Sequence, residues 1–154
     1  MEAREISGKI DKIDWDSVGS ELDQRGYTVL TGVLTRARCA ELIELFDQDD
    51  QYRKTVVMER QGFGAGVYRY WNYPLPGVIR NLRESLYPRL VPVANQWAER
   101  LRSDVTYPSD LDQMQRLCSK QGQKKPTPLI LRYEKGGYNT LHQDLYGDLW
   151  FFCG

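Results

Sequence analysis

The sequence predicts an α+β fold, and three observations carry that reading. Apolar residues recur at helical spacing through much of the first half. Two β-prone runs flank a glycine-rich stretch, "YRKTVVMERQGFGAGVYRYW". Past Pro128 the helical period gives way to "LILRYE", a "KGG" turn, "YNTLHQDLY" and "DLWFFC", which read as successive strands.

In chain order, Asp14 or Asp16 caps a first helix, and Gly26 ends it by supplying the left-handed residue after the last turn. "YTVLTGVL" follows, with Tyr27, Val29 and Leu30 favouring a strand. Thr35 is the expected cap of a second helix through "RARCAELIELFDQ". Its Cys39, Leu42, Ile43 and Phe46 fall on one face predicted to be buried.

Gly62, Gly64 and Gly66 resemble a phosphate-binding loop only superficially. Such a loop runs from strand into helix, whereas the β-prone "VYRYW" follows here, so a hairpin turn is predicted. From Pro76 to Arg102 the pattern is helical, and Pro88 and Pro92 predict two helices or one kinked helix meeting near Tyr87. Ser109 with Asp112 resembles a capping box opening "SDLDQMQRLCSKQG", and "GQKKPTP" is a loop. The whole reads as a single domain, residues 1–154. A helical N-terminal support (about 1–125) precedes the first core strands (about 126–154).

Composition narrows the function classes. The chain has 154 residues, 41% apolar and 27% charged, which is globular rather than disordered. Lysine plus arginine balance aspartate plus glutamate, 21 against 21, so no basic field favours nucleic acid or an acidic membrane as partner. The N-terminal "MEAREISGKIDKIDW" lacks the apolar core of a signal peptide, and no apolar run approaches the roughly 20 residues a membrane span needs. Cys39, Cys118 and Cys153 lie far apart and read as reduced, buried thiols. A cytoplasmic protein is expected.

The chain's one histidine, His142, precedes Asp144 by two residues. On a strand, residues i and i+2 share a face, so imidazole and carboxylate would project together. Two histidines and a carboxylate on one face of the metal are the usual non-haem Fe(II) set. A lone histidine is more often a hydrogen-bonded structural residue, and spacing alone leaves both readings open.

The flanks say more. "LRYEKGGYNTLHQDLYG" resembles the Fe(II)- and 2-oxoglutarate-dependent dioxygenase superfamily. In particular it resembles the bacterial-type 2OG-Fe(II) oxygenase family, with its pattern LRY-x-x-G-x-YN-x-LHQDLYG. The resemblance continues upstream through "VVMERQGFGAGVYRYWNYPLP", "LYPRLVPVANQW" and "PTPLILRY", and covers the chain from about Gly26 to Gly147. It implies N-terminal helices packed on a double-stranded β-helix (jelly-roll) core. His142 and Asp144 would be iron ligands, and Tyr133, Tyr138 and Asn139 would lie at the 2-oxoglutarate site. For the two tyrosines, ordinary strand packing is the alternative. The implied activity is hydroxylase-type oxidation of an unknown substrate, with 2-oxoglutarate converted to succinate and CO2.

One departure stands out. The family pattern has a second histidine on a later strand, then an arginine whose fork grips the distal carboxylate of 2-oxoglutarate. No second histidine is present, and Arg69, Arg80, Arg83 and Arg89 all lie upstream; those in "VIRNLRESLYPRL" read as a solvated helix face. After Gly147 the apolar "DLWFFC" reads as interrupted core. The expectation is therefore a C-terminally truncated oxygenase, inactive alone. The alternative is a non-catalytic relic that binds a partner, dimerises or aggregates through its apolar C-terminal edge.

Overall fold

The computed structural model describes residues 2–142. Asp144 and the "DLWFFC" run lie outside the described residues, as does Cys153. Five α-helices and five short strands in two antiparallel sheets, counted among the described residues, make the chain α+β as predicted. The helices are α1 (Glu2–Ile10), α2 (Trp15–Arg25), α3 (Arg36–Leu45), α4 (Gly77–Arg100) and α5 (Leu111–Lys120). The strands are β1 (Tyr52–Val57), β2 (Gly64–Ala65), β3 (Val67–Trp71), β4 (Leu129–Arg132) and β5 (Tyr138–Asn139). None of the described helices is long and apolar enough to cross a membrane.

The chain divides into two compact units, one of residues 1–39 and 76–121 and the other of residues 40–75 and 122–154. In the first, α1 packs on α4 and α4 on α5. Ile6 and Ile10, one helical turn apart, are buried, as are Tyr87, Val91, Ala94 and Ala98, whose 4-3-4 spacing forms one stripe of α4. α2 opens as predicted on Asp14, whose carboxylate accepts from the Ser17 amide, and closes on Gly26 at φ 76°. The Trp97 indole and the Arg100 guanidinium both donate to Asp23 on α2. Those two bonds, Arg100 first, hold the Asp23 carboxyl below its ordinary range.

Between the two outcomes expected for residues 76–102, the chain forms one helix. Pro88 and Pro92 sit inside α4 at exposed positions, where water can satisfy the carbonyls that lose their helical donors. α5 corrects the capping prediction by one residue: Asp110, not Ser109, accepts from the Gln113 amide, at 2.9 Å. α1 precedes the first helix that the sequence predicts, and the Trp15 indole donates to Ile10 O at 3.0 Å just past its end.

Two further expectations fail. "YTVLTGVL" forms no strand; Tyr27 is 62% and Val29 73% exposed, and none of the described strands pairs with the segment. β-propensity expresses fit to a half-buried pleated surface, and this segment is not offered one. α3 starts at the predicted Thr35 cap, with the Arg38 amide donating to Thr35 Oγ1. It does not bury the predicted stripe, however: Cys39 and Ile43 are exposed, and only Phe46, past its last turn, is core. The buried-thiol reading therefore holds for Cys118 and not for Cys39.

In the second unit, β3 is the central strand of a three-stranded sheet of order β1-β3-β4. The predicted hairpin is present, with Thr55 opposite Arg69 and Val57 opposite Val67. A short 3₁₀ turn (Met58–Gln61) and β2 fill its connection. β4 pairs with the far side of β3, Leu131 opposite Tyr68 and Leu129 opposite Tyr70. Alternation places Tyr68, Tyr70, Leu129 and Leu131 on one face and Arg69 and Trp71 on the other. Arg69 is buried and fully engaged: it donates to Thr55 Oγ1, Phe46 O and Asp49, and its guanidinium lies 4.1 Å from the Tyr52 ring centroid. A buried arginine needs these partners, since an unpaired charge there would be very costly.

Candidate metal centre

The segment bearing His142 is held by the glycine-rich connection of the hairpin. β5 and β2 form a two-residue antiparallel ladder, Gly64 opposite Asn139 and Ala65 opposite Tyr138. This ladder is possible because glycine stands where the backbones meet, Gly64 within β2 and Gly137 just before β5. A Cβ on Gly64, at φ 133°, would stand 2.1 Å from Tyr138 O, and one on Gly137 would stand 2.9 Å from Ala65 O. The turn before β5 uses Gly136 at φ 84°. The residue types read as a generic hairpin turn thus have a more specific job.

Beyond the ladder, Phe63 O accepts two hydrogen bonds from Thr140, from its amide at 2.8 Å and its hydroxyl at 3.0 Å. Thr140 O in turn meets His142 Nδ1 at 2.7 Å. A carbonyl only accepts, so Nδ1 carries the proton, and in the neutral ring the lone pair resides on Nε2. A backbone carbonyl fixing one ring nitrogen is the usual support of a metal-ligating histidine. His142 is exposed and lies three residues past β5, so it does not stand on a regular strand as predicted. Its partner in the predicted pair, Asp144, falls outside the described residues.

Of the other predicted site residues, Tyr133 follows β4 and is 44% exposed; its ring packs on Gly66, where an added Cβ would come within 2.9 Å of Cδ1. Tyr138 and Asn139 form β5, and both side chains are exposed. The Arg69 fork is committed inside the sheet, Arg80 is exposed, Arg83 is half-buried and Arg89 pairs with Asp11 at 2.8 Å. No group of three His, Cys, Asp or Glu suited to a metal occurs among the described residues. A groove of about 590 Å³ between α2 and α4, lined in part by Trp15, Asp23 and Arg89, contains none of the predicted site residues. Phe63, Gly64 and Thr140 are the residues that sequence reasoning missed.

Residues 66–153, more than half of the 154-residue chain, match the family model Oxygenase-NA, described as an oxygenase catalysing oxidative methylation of damaged DNA. The chain belongs to this oxygenase family.

The Oxygenase-NA segment takes in β3, α4, α5, β4 and β5, and with them Tyr133, Tyr138, Asn139, His142 and Asp144. Two curated relatives come from Mycobacterium tuberculosis: "Uncharacterized protein MT2286" of strain CDC 1551 / Oshkosh and "Uncharacterized protein Rv2227" of strain ATCC 25618 / H37Rv. Each is 42% identical over 78 residues, which is 51% of this chain and 34% of the relative. The chain thus spans about a third of the length of the curated relatives it matches. No solved structure matches it.

Proposed function

We propose that this chain is the N-terminal part of a non-haem Fe(II)/2-oxoglutarate-dependent oxygenase, and that it carries the first half of the iron site. The observation that carries the reading is the Oxygenase-NA match across "LRYEKGGYNTLHQDLYG", together with the His142 ring held at Nδ1 by Thr140 O. His142 through Nε2 and the Asp144 carboxylate would hold the metal. Tyr133, Tyr138 and Asn139 would contact the cosubstrate, a tyrosine hydroxyl donating to a 2-oxoglutarate carboxylate. β1, β3 and β4 would begin a jelly-roll core. Bound Fe(II) supplies the redox chemistry that uses dioxygen to oxidise a substrate C–H bond while 2-oxoglutarate becomes succinate and CO2. The protein's share is to orient those groups and exclude water.

A two-histidine site needs a histidine this sequence does not contain. Since the match covers only 34% of the curated relatives, we place that histidine, and the arginine for the distal carboxylate, in the remainder of a longer protein. The family description suggests damaged DNA as substrate. The balanced charge, 21 against 21, gives no general grip on phosphates, so recognition would rest on the base undergoing chemistry. The chain alone is expected to release no succinate from 2-oxoglutarate above a His142→Ala control. A longer protein carrying the same segment is expected to do so in an Fe(II)-dependent way. Succinate release by the chain alone would overturn the divided-site reading, and its absence from the longer protein would overturn the activity.

One observation favours a second reading, a partner-binding or dimerising module. β4 pairs on one side only among the described strands, and Leu129 and Leu131 on it are 37% and 41% exposed. Such an edge is a template for pairing with another chain.

A further inference from the structure

We propose that Thr140 is a positioning residue, clamped by the glycine-rich turn, that sets the tautomer and orientation of His142 for coordination through Nε2. This rests on the reading of His142 as a metal ligand. The tertiary link is the Phe63 carbonyl, which lies 77 residues upstream of Thr140 and accepts both its amide and its hydroxyl. Two donors fill the two lone pairs of that oxygen and leave Thr140 little freedom to rotate. The Thr140 carbonyl is then aimed at His142 Nδ1, 2.7 Å away. Gly64, next to Phe63, belongs to the same device, because a side chain there would collide with the Tyr138 carbonyl and part the ladder that brings Phe63 to Thr140.

The division of labour is chemical. An imidazole with a free choice of tautomer protonates either nitrogen, and a ring protonated on Nε2 offers a metal only the nitrogen nearer the backbone. A carbonyl at Nδ1 removes that choice before metal arrives. The β-branched Cβ of Thr140 restricts χ1, and the hydroxyl, rather than the methyl, makes the second bond to Phe63. Valine keeps the shape and the amide bond but loses the hydroxyl; serine keeps the hydroxyl.

Because His142 is the chain's one histidine, ¹⁵N-histidine labelling of the full chain yields a single pair of ring nitrogens. Long-range ¹H–¹⁵N correlation on the neutral ring reads the tautomer directly with no metal present. The wild type and Thr140→Ser are expected to carry the proton on Nδ1. Thr140→Val and Gly64→Ala are expected to shift the ring toward the Nε2-protonated form.

Zn(II) added as a diamagnetic probe is expected to move the Nε2 resonance. The apparent Zn(II) affinity should fall about 10-fold or more in Thr140→Val. A wild-type ring protonated on Nε2 would overturn the proposal without recourse to any variant. So would Thr140→Val that retains the wild-type circular dichroism and the wild-type tautomer. If Thr140→Val fails to fold, the wild-type tautomer and Thr140→Ser still decide. An Nδ1-protonated ring that ignores Zn(II) would instead sink the ligand reading, leaving the contact real but without a metal to serve.

Discussion

Tyr52 concentrates much of the physics of the second unit in a single residue. Its ring lies against Trp71, with centroids 4.5 Å apart, and carries the Arg69 guanidinium on its face, while its hydroxyl donates to Leu45 O at 3.0 Å. Burial pushes its pKa up to about 12, with Arg69 pulling the other way. Raised in the folded state, the group favours folding in its neutral form. That contribution is intact below the unfolded value of 10.0 and is lost as pH rises toward about 12. Tyr52→Phe is expected to cost about 1 kcal/mol near neutrality, through the missing hydrogen bond. It should also shed the alkaline loss, so that urea midpoints of the two proteins converge above pH 10.0. A constant gap up to pH 12 would contradict the account. Arg69 makes the complementary point. In the sequence it is one arginine among many, yet it is buried, with Thr55, Phe46 O and Asp49 as partners that no local pattern announces.

At the scale of elements, local chemistry was legible where it acts over one turn. Asp14 and Gly26 bound α2, Thr35 opens α3, and the hairpin closes around its glycines, because capping bonds and turn dihedrals involve residues at most a few positions apart. The reading slipped where neighbours in sequence competed. Ser109 and Asp110 are both good caps, and backbone geometry selected Asp110. Asp110→Ala should therefore lower stability by about 1 kcal/mol, whereas Ser109→Ala should stay within about 0.5 kcal/mol of wild type, both measured by thermal melts. Equal effects would restore the original assignment. "YTVLTGVL" and the apolar stripe of α3 failed for a different reason. Burial depends on what the rest of the chain places opposite, and a pattern of apolar residues cannot specify that.

For the whole molecule, the balance of 21 positive and 21 negative residues leaves no net repulsion to keep copies apart, and β4 offers an apolar edge. Light scattering after size exclusion is expected to find self-association, reduced in Leu131→Lys, which sets a charge on that edge without changing the far-ultraviolet circular dichroism. A wild type that stays monomeric at high micromolar concentration would remove the case for a docking module. By itself the sequence determined the α+β class, most helix ends, the hairpin and the kinship with oxygenases, since each rests on residue type and short spacing. Only the tertiary structure decided how His142 is held. The Phe63 carbonyl reaches Thr140 across 77 residues, and two glycines let the backbones close, a contact that exists only when distant segments fold against each other.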